Sequence, residues 1–359
     1  MNEDALEALK FVSAGTGNAN SRHRYGAEKN RRMLFARNEL ARVLGGQKEE
    51  YFFTSGATEA NFLLHKLFPD HTALTSIAEH KSNLIDYERK FSVNQFGQII
   101  TDRLFNCIDQ LSKEEEKVLV SLIWVNNETG AINPIREIGA YCKDKPNVIF
   151  HVDATQAVGH VPINVEEDHI DAMSFSAHKF GGPQGIGCLY LSDKVPTDVM
   201  DQSILHYLKD PKTVSVAGIY SMGVAIRKAT NDILLNLYDL RSKRDYFLYH
   251  LRKLGVGFKV NGDGYPGIIS LTVPGTNGDT LMMELDNEGF MVSVGAACSS
   301  GDDYSLRVLQ GMGLTEDEAR CTIRISIGDR ITYQDMELLA KKIVESIEKI
   351  KERIVDAED

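Results

Sequence analysis

Five side chains able to act together lie within one stretch, His151 to Gly187, which reads HVDATQAVGHVPINVEEDHIDAMSFSAHKFGGPQGIG. The apolar run Val148 to Val152 ends at Asp153 and Gln156, and the run Ile170 to Phe175 ends at Ser176, His178 and Lys179. Short apolar runs that stop at polar residues predict buried strands delivering their last side chains to one sheet edge. An acid, an amide, a hydroxyl, an imidazole and an amine gathered there suit pyridoxal phosphate. Lys179 can hold its aldehyde as a Schiff base, and Asp153 can keep the pyridine nitrogen protonated. Ser176 and His178 can donate to the phosphate, and Gln156 to the phenolic oxygen of the ring. Singly, each has an ordinary explanation as a surface cation, a turn former or a cap. The order Asp-Ala-Thr-Gln, then Ser-Ala-His-Lys, then Gly181-Gly182-Pro183 reverses those odds.

The elements that must position this set follow from the pattern. Upstream, a short strand at Glu50 to Phe53 runs into TSGATEANFLL, a strand-to-helix turn whose small residues Gly56 and Ala57 let backbone N–H groups approach an anion, with Thr58 adding a hydroxyl. Strands are expected at 73–77, 118–125, 186–191, 267–273 and 290–294. Helices are expected at 3–12, from about 27 to 44, from Pro134 to 143, at 219–251, at 279–288 and at 334–354. Strands alternating with helices predict an α/β fold with a mostly parallel sheet and ligands at its edge. The boundaries expected are a large domain over 13–230 and a smaller α+β domain formed by 1–12 with 231–359.

Bulk composition narrows the class. The chain has 359 residues, is 43% hydrophobic and carries a formal charge of −11, with no long basic run. That argues against nucleic acid or an anionic membrane as the main partner. Neither a signal-peptide pattern nor an apolar run of membrane-spanning length is present, so a cytoplasmic location is expected. Five cysteines with no close pair read as reduced thiols, with no metal site. Cys188 reads as a buried strand residue. Cys298, in SVGAACSSGDDYS, has little apolar surface around it and reads as an exposed loop thiol.

HVDATQAVG together with SFSAHKFGGPQGIG resembles the cysteine desulfurase branch of the class V, fold-type I pyridoxal phosphate enzymes, an aspartate aminotransferase-like fold. The resemblance extends over roughly residues 5 to 354, including GNANSRHRYG, with Ala19 where the family has proline. It implies that Lys179 is the Schiff-base lysine, Asp153 the partner of the pyridine nitrogen, and Gln156 a contact of the phenolic oxygen. Ser176 and His178 match phosphate contacts, and His80, in Glu-His-Lys-Ser, matches the histidine that stacks on the ring and moves protons. Asn127 matches the residue reaching both cofactor and substrate carboxylate, and Arg324, in CTIRISIG, the arginine that clamps that carboxylate. Thr213 matches a threonine that reaches the partner subunit's phosphate in a homodimer. Ala-Cys-Ser-Ser-Gly resembles the nucleophile loop and makes Cys298 the sulfur acceptor.

The activity implied is removal of sulfur from L-cysteine, giving L-alanine and a persulfide on Cys298 for an acceptor protein such as an iron–sulfur scaffold or a thiolation enzyme. Two departures from the family pattern are the absence of its opening Asp-Asn-Ala-Ala-Thr-Thr-Pro-like segment and an altered 198–213 segment, which bears on the contact of Thr213. A second enzyme reading is a related lyase acting on selenocysteine or another sulfur amino acid, in which Cys298 is dispensable, and the missing opening segment motivates a third, a cofactor-binding scaffold without activity.

Overall fold

The computed structural model of the protein describes residues 1–15, 17–84, 90–114, 116–210, 213–295, 306–328 and 330–358. They form two compact units, one of Met1–Phe91, Thr101–Trp124 and Asn133–Ile233, the other of Ser92–Ile100, Val125–Ile132 and Leu234–Asp359.

The first unit is built on a seven-stranded sheet. Its strands are β1 (Tyr51–Thr54), β2 (Thr72–Ser76), β3 (Lys90–Phe91), β4 (Val118–Ile123), β5 (Val148–Asp153), β6 (Ala172–Ser176) and β7 (Gly187–Leu191), in the spatial order β1-β7-β6-β5-β4-β2-β3. Only β7 is reversed, antiparallel to both β1 and β6, while β6, β5, β4, β2 and β3 run parallel. The carboxyl ends of six strands and the start of β7 therefore meet at one edge, the architecture the alternation predicts.

The helices of this unit are α1 (Glu3–Ser13), α2 (Arg24–Leu44), α3 (Ala57–Leu67), α4 (Thr101–Lys113), α5 (Ile135–Cys142), α6 (Gln202–Lys209) and α7 (Val216–Thr230). Leu63, Leu64 and Leu67 of α3 pack with Leu205 and Leu208 of α6 over Phe52, Leu189, Ala172, Ile149 and Leu119, all buried. Those strand residues begin rows that alternate along each strand, because side chains on one face recur every second residue. The rows continue as Ser174 and Ser176, His151 and Asp153, and Ser121. Each row is apolar at its start and polar toward the site edge.

The second unit contains α8 (Ile233–Lys253, from Leu234 onward), β8 (Lys259–Asn261), β9 (Ile268–Thr272), α9 (Gly278–Asn287), β10 (Ser293–Val294), α10 (Arg307–Gly311), α11 (Glu316–Arg320), β11 (Thr322–Ser326) and α12 (Tyr333–Glu358). Its four strands form an antiparallel sheet in the order β10-β11-β9-β8.

Four expectations change. Residues 1–12 belong to the first unit, not to the smaller domain. α1 buries Ala5, Ala8 and Val12, Ser221 Oγ of α7 donates to Ala5 O at 2.6 Å, and Lys228 pairs with Asp4 at 2.8 Å. Segments 92–100 and 125–132 belong to the second unit, where Tyr265 N donates to Gly130 O at 2.8 Å and Gln98 Nε2 to Ile132 O at 3.1 Å. The single helix expected at 219–251 is two, α7 and α8. Asn231 caps α7, the Thr230 hydroxyl bonds back to Ile226 O at 2.8 Å, and Asn-Asp at 231–232 propagates a helix poorly. The strand expected at 290–294 shrinks to Ser293–Val294.

Candidate active site

Where β1 ends, the chain turns through Ser55 and Gly56 into α3, whose amino end faces a pocket of about 320 Å³. Ser55, Gly56, Ala57, Thr58, Glu59, Ser176, His178, Gln184 and Gly185 line it. Ala57 N donates to Ser176 Oγ at 2.8 Å, which ties the start of α3 to the end of β6 and leaves the Ser176 hydroxyl proton to aim elsewhere. Ser55 N is held by Glu59 Oε2 at 2.6 Å. The β1–β7–β6 register pairs Gly187 with both Thr54 and Ser176, and a Cβ on Gly187 would stand 2.5 Å from Gly56 Cα. Glycine is required there so that the three chain segments can close around the pocket.

Asp153 ends β5 and is 2% exposed. Thr155 N donates to its Oδ1 at 3.0 Å and Asn61 Nδ2, from α3, to its Oδ2 at 3.0 Å. No basic side chain among the described residues forms an ion pair with it. The Thr155 hydroxyl beside it is buried with no partner among the described residues. A buried carboxylate is expected to face a positive group.

Behind Asn61 the polar rows join. Ser174 Oγ donates to Asn61 Oδ1 at 2.5 Å, His151 Nε2 lies 3.1 Å from Ser174 Oγ, and His151 Nδ1 lies 2.7 Å from Ser121 Oγ. Ser121 Oγ is 2.8 Å from Asn83 Oδ1, and Asn83 Nδ2 is 3.0 Å from Glu79 Oε2, whose Oε1 accepts from Ser76 Oγ at 2.7 Å. Glu79 is pushed up to about 7, chiefly by burial, against hydrogen bonds from Ser76, the Ile123 backbone and Asn83, with the Asp153 charge adding to the rise. Burial holds His151 well below the ordinary imidazole value.

Lys179 lies in the 3-10 turn Ala177–Phe180 that follows β6 directly. Gly181 closes the turn at φ +86°, and buried Phe180 anchors it. Asn2 N donates to Gly181 O at 2.8 Å, so the start of α1 braces the same turn. The side chains of Lys179 and His178 reach solvent, and His178 is lowered first by the partial desolvation of its ring and then by the Lys179 charge. His80 caps the turn after β2, its Nδ1 2.7 Å from Ser82 Oγ, which in turn receives Asn61 Nδ2 at 3.1 Å. Gln156 is half-buried two residues beyond Ala154, and Thr213 is exposed ahead of α7.

In the second unit, Arg324 of β11 donates from Nη1 to Asn127 O at 3.1 Å and from Nη2 to Ser293 Oγ at 3.2 Å. Glu128, 5% exposed, is pushed up to about 7 by burial, opposed by the nearby Arg307 and Arg324 charges. Cys298 lies outside the described residues. Cys188 is fully buried in β7, and burial raises its thiol pKa, as expected of an inert strand residue.

The structure thus brings Gly56, Ala57, Thr58, Ser176 and His178 around one pocket and links His80 to Asp153 through Ser82 and Asn61. Asn61, Ser174, His151, Ser121, Asn83 and Glu79 were not singled out from the sequence. For Ser121, His151 and Ser174 the signal was a polar residue inside an apolar strand, while Asn61 lies on α3 and Glu79 and Asn83 lie in the turn after β2. The donor set fits pyridoxal phosphate, with a helix amino end, a hydroxyl and an imidazole for a phosphate, and, for a ring nitrogen, a buried acid with no cation paired to it among the described residues. No group of His, Cys, Asp and Glu with metal-binding geometry occurs among the described residues, and no described helix is long and apolar enough to cross a membrane.

Comparison with known proteins points the same way. The family profile described as Aminotransferase class-V matches residues 5–339. A cysteine desulfurase IscS from Clostridium botulinum is 31% identical over 96% of this chain and 91% of its own length. Among solved structures, a NifS-like protein superposes with a TM-score of 0.85 at 29% identity, covering 97% of this chain and 96% of that one. SspA in complex with cysteine superposes with a TM-score of 0.74 at 25% identity, covering 91% and 95%.

Proposed function

The chain belongs to the aminotransferase class-V family, on its cysteine desulfurase branch, and from that premise we propose that it converts L-cysteine and a protein thiol into L-alanine and a protein persulfide. The observation that carries this reading is Asp153, a buried carboxylate with a hydrogen bond to each oxygen and no basic partner among the described residues, on the strand next to the one that leads into Lys179. Bound pyridoxal phosphate supplies an electron-withdrawing ring that makes the α-proton of an attached amino acid acidic.

The residues of the chain do the rest. Ser176, His178 and the α3 amino end at Gly56, Ala57 and Thr58 hold the phosphate, with Thr213 contributing from the partner in a homodimer. Gln156 donates to the ring oxygen and His80 covers the ring face. Asp153, held by Asn61 and Thr155 N, would face the ring nitrogen. Arg324 and Asn127 bind the substrate carboxylate, which excludes amines that lack one. Lys179 would hold the cofactor through its side-chain amine, and that amine, when free and neutral, would take the α-proton of the substrate and later return a proton to carbon. The Cys298 thiolate attacks the substrate sulfur. The S–S bond forms as the C–S bond breaks, carbon keeps the electron pair and is protonated, and L-alanine leaves. SspA, solved with cysteine bound, supports cysteine as the substrate. The acceptor is a protein able to take the persulfide sulfur, an iron–sulfur scaffold or a thiolation enzyme.

The test is alanine and sulfide release from L-cysteine with pyridoxal phosphate and a reductant, comparing wild type, Lys179→Ala and Cys298→Ala. Both variants should lose at least a hundredfold in rate, and alkylation trapping should find the persulfide on Cys298. Turnover that survives in Cys298→Ala means a direct lyase and overturns the persulfide route.

A further inference from the structure

The buried chain behind Asp153 contains a proton inventory that its geometry alone constrains. Asn61, Glu79, Asn83, Ser121, His151 and Ser174 are each at most 1% exposed, so water cannot supply a missing proton. Asn61 Nδ2 donates to Asp153 Oδ2 at 3.0 Å and Ser82 Oγ at 3.1 Å, which turns its oxygen to Ser174. The Ser174 hydroxyl proton is spent on that oxygen at 2.5 Å, so Ser174 accepts from His151, and Nε2 carries a proton.

At the other end, Ser121 has one hydroxyl proton and two neighbours, His151 Nδ1 at 2.7 Å and Asn83 Oδ1 at 2.8 Å. If the proton points to Asn83, His151 Nδ1 must carry a second one, making an imidazolium. If it points to His151, Asn83 must turn its amide nitrogen toward Ser121 and His65 and its oxygen toward Glu79, whose carboxyl must then be protonated to donate. Both arrangements satisfy every group and contain the same one extra proton. With Asn61 oriented as it is, a neutral His151 with an ionised Glu79 instead leaves a pair of lone pairs facing each other with no proton between them.

We propose that Glu79 and His151 hold one buried proton between them through Asn83 and Ser121, and that this chain is a positioning device holding Asp153 toward the cofactor's ring nitrogen. The role of Asp153 rests on the function proposed above; the shared proton does not. The titratable groups facing the chain are Asp153 beyond Asn61, His65 of α3, 3.1 Å from Asn83 Oδ1, and His80, joined through Ser82. Burial raises Glu79 and lowers His151, which puts the proton at the glutamate end.

The proton is tested on cofactor-free protein at pH 6 to 7, by the infrared carbonyl band of a protonated carboxyl that disappears in Glu79→Gln, and by the ¹⁵N resonances of His151. A protonated Glu79 with His151 as the neutral Nε2–H form is the expected result, and an imidazolium His151 supports the sharing equally. Ionised Glu79 together with neutral His151 overturns it. The positioning role is tested by pyridoxal phosphate affinity. Ser121→Ala and Glu79→Leu should each weaken binding about tenfold, the effect of one unmet buried hydrogen bond. Glu79→Gln, which keeps a donor toward Asn83, should recover most of the loss. Unchanged affinity in folded Ser121→Ala and Glu79→Leu overturns the positioning role. Failure of wild-type protein to bind pyridoxal phosphate would instead overturn the cofactor reading and leave the proton result standing.

Discussion

Asp153 shows how a single side chain is specified at two depths. Its position at the end of β5 follows from the apolar run before it, but its orientation comes from Asn61, 92 residues earlier in the chain. Asn61→Ala removes a buried donor, which is expected to cost about 1–3 kcal/mol in stability and to raise the pyridoxal phosphate dissociation constant about tenfold. Equilibrium dialysis and thermal unfolding of the same sample would check both. Asp153, Ser176, His178 and Lys179 were legible because each stands where an apolar run stops. Ser121, His151 and Ser174 were not, because each sits within a run whose neighbours are apolar and face the other way. Only the register, Ser121 opposite His151 and Asp153 opposite Ser174, brings them together. Cys298 was singled out from the small residues around it, lies outside the described residues, and keeps its role as a proposal.

At the level of elements, the parallel α/β sheet and the strand-turn-helix at 51–67 were readable from periodicity and from small residues at a turn. The reversal of β7 was not, since no local feature of GCLYL fixes its direction. Gly187 records that reversal, because it lies where β7 enters between β1 and β6. Gly187→Ala should lower the unfolding temperature more than Gly185→Ala, although Gly185 carries the unfavourable φ of +75°. A Cβ at Gly185 meets nothing within 4 Å, whereas at Gly187 it meets Gly56 Cα at 2.5 Å. The Gly185 change is expected to cost about 1 kcal/mol in backbone strain and the Gly187 change several times that. Calorimetry giving the opposite order would show that β7 can shift away from α3. The two compact units divide the chain differently from the expected domains for a related reason. Segments 92–100 and 125–132 cross into the second unit through a few backbone pairings that leave no mark on composition.

For the molecule as a whole, buried ionisable groups set the pH profile. Glu79 and Glu128 both titrate near 7 when folded, against an ordinary value of 4.5. The folded form therefore binds extra protons between about 4.5 and 7, and the stability each acid contributes is lost as pH rises through 7. His65, His71 and His151 are lowered by burial, so their contribution is lost as pH falls below the ordinary 6.5. The two effects oppose each other below 6.5, and above it the acids act alone. Denaturant unfolding should show stability falling from pH 6.5 to 8 by about 1 kcal/mol for each of the two acids. Glu128→Gln or Glu79→Gln should remove its own share of that slope.

The place of β7 in the sheet also bears on how the protein comes into being. β1 has β7 as its strand partner in the sheet, yet the two lie far apart in sequence, and the hydrogen bond closing the anion pocket joins residues 119 positions apart. On a growing chain, the early segment that opens the pocket must wait unpaired until a much later strand emerges and slots in beside it. Long-range strand pairing of this kind is slow. A ligand held at the α3 amino end would therefore add to stability only after β7 has docked beside β1.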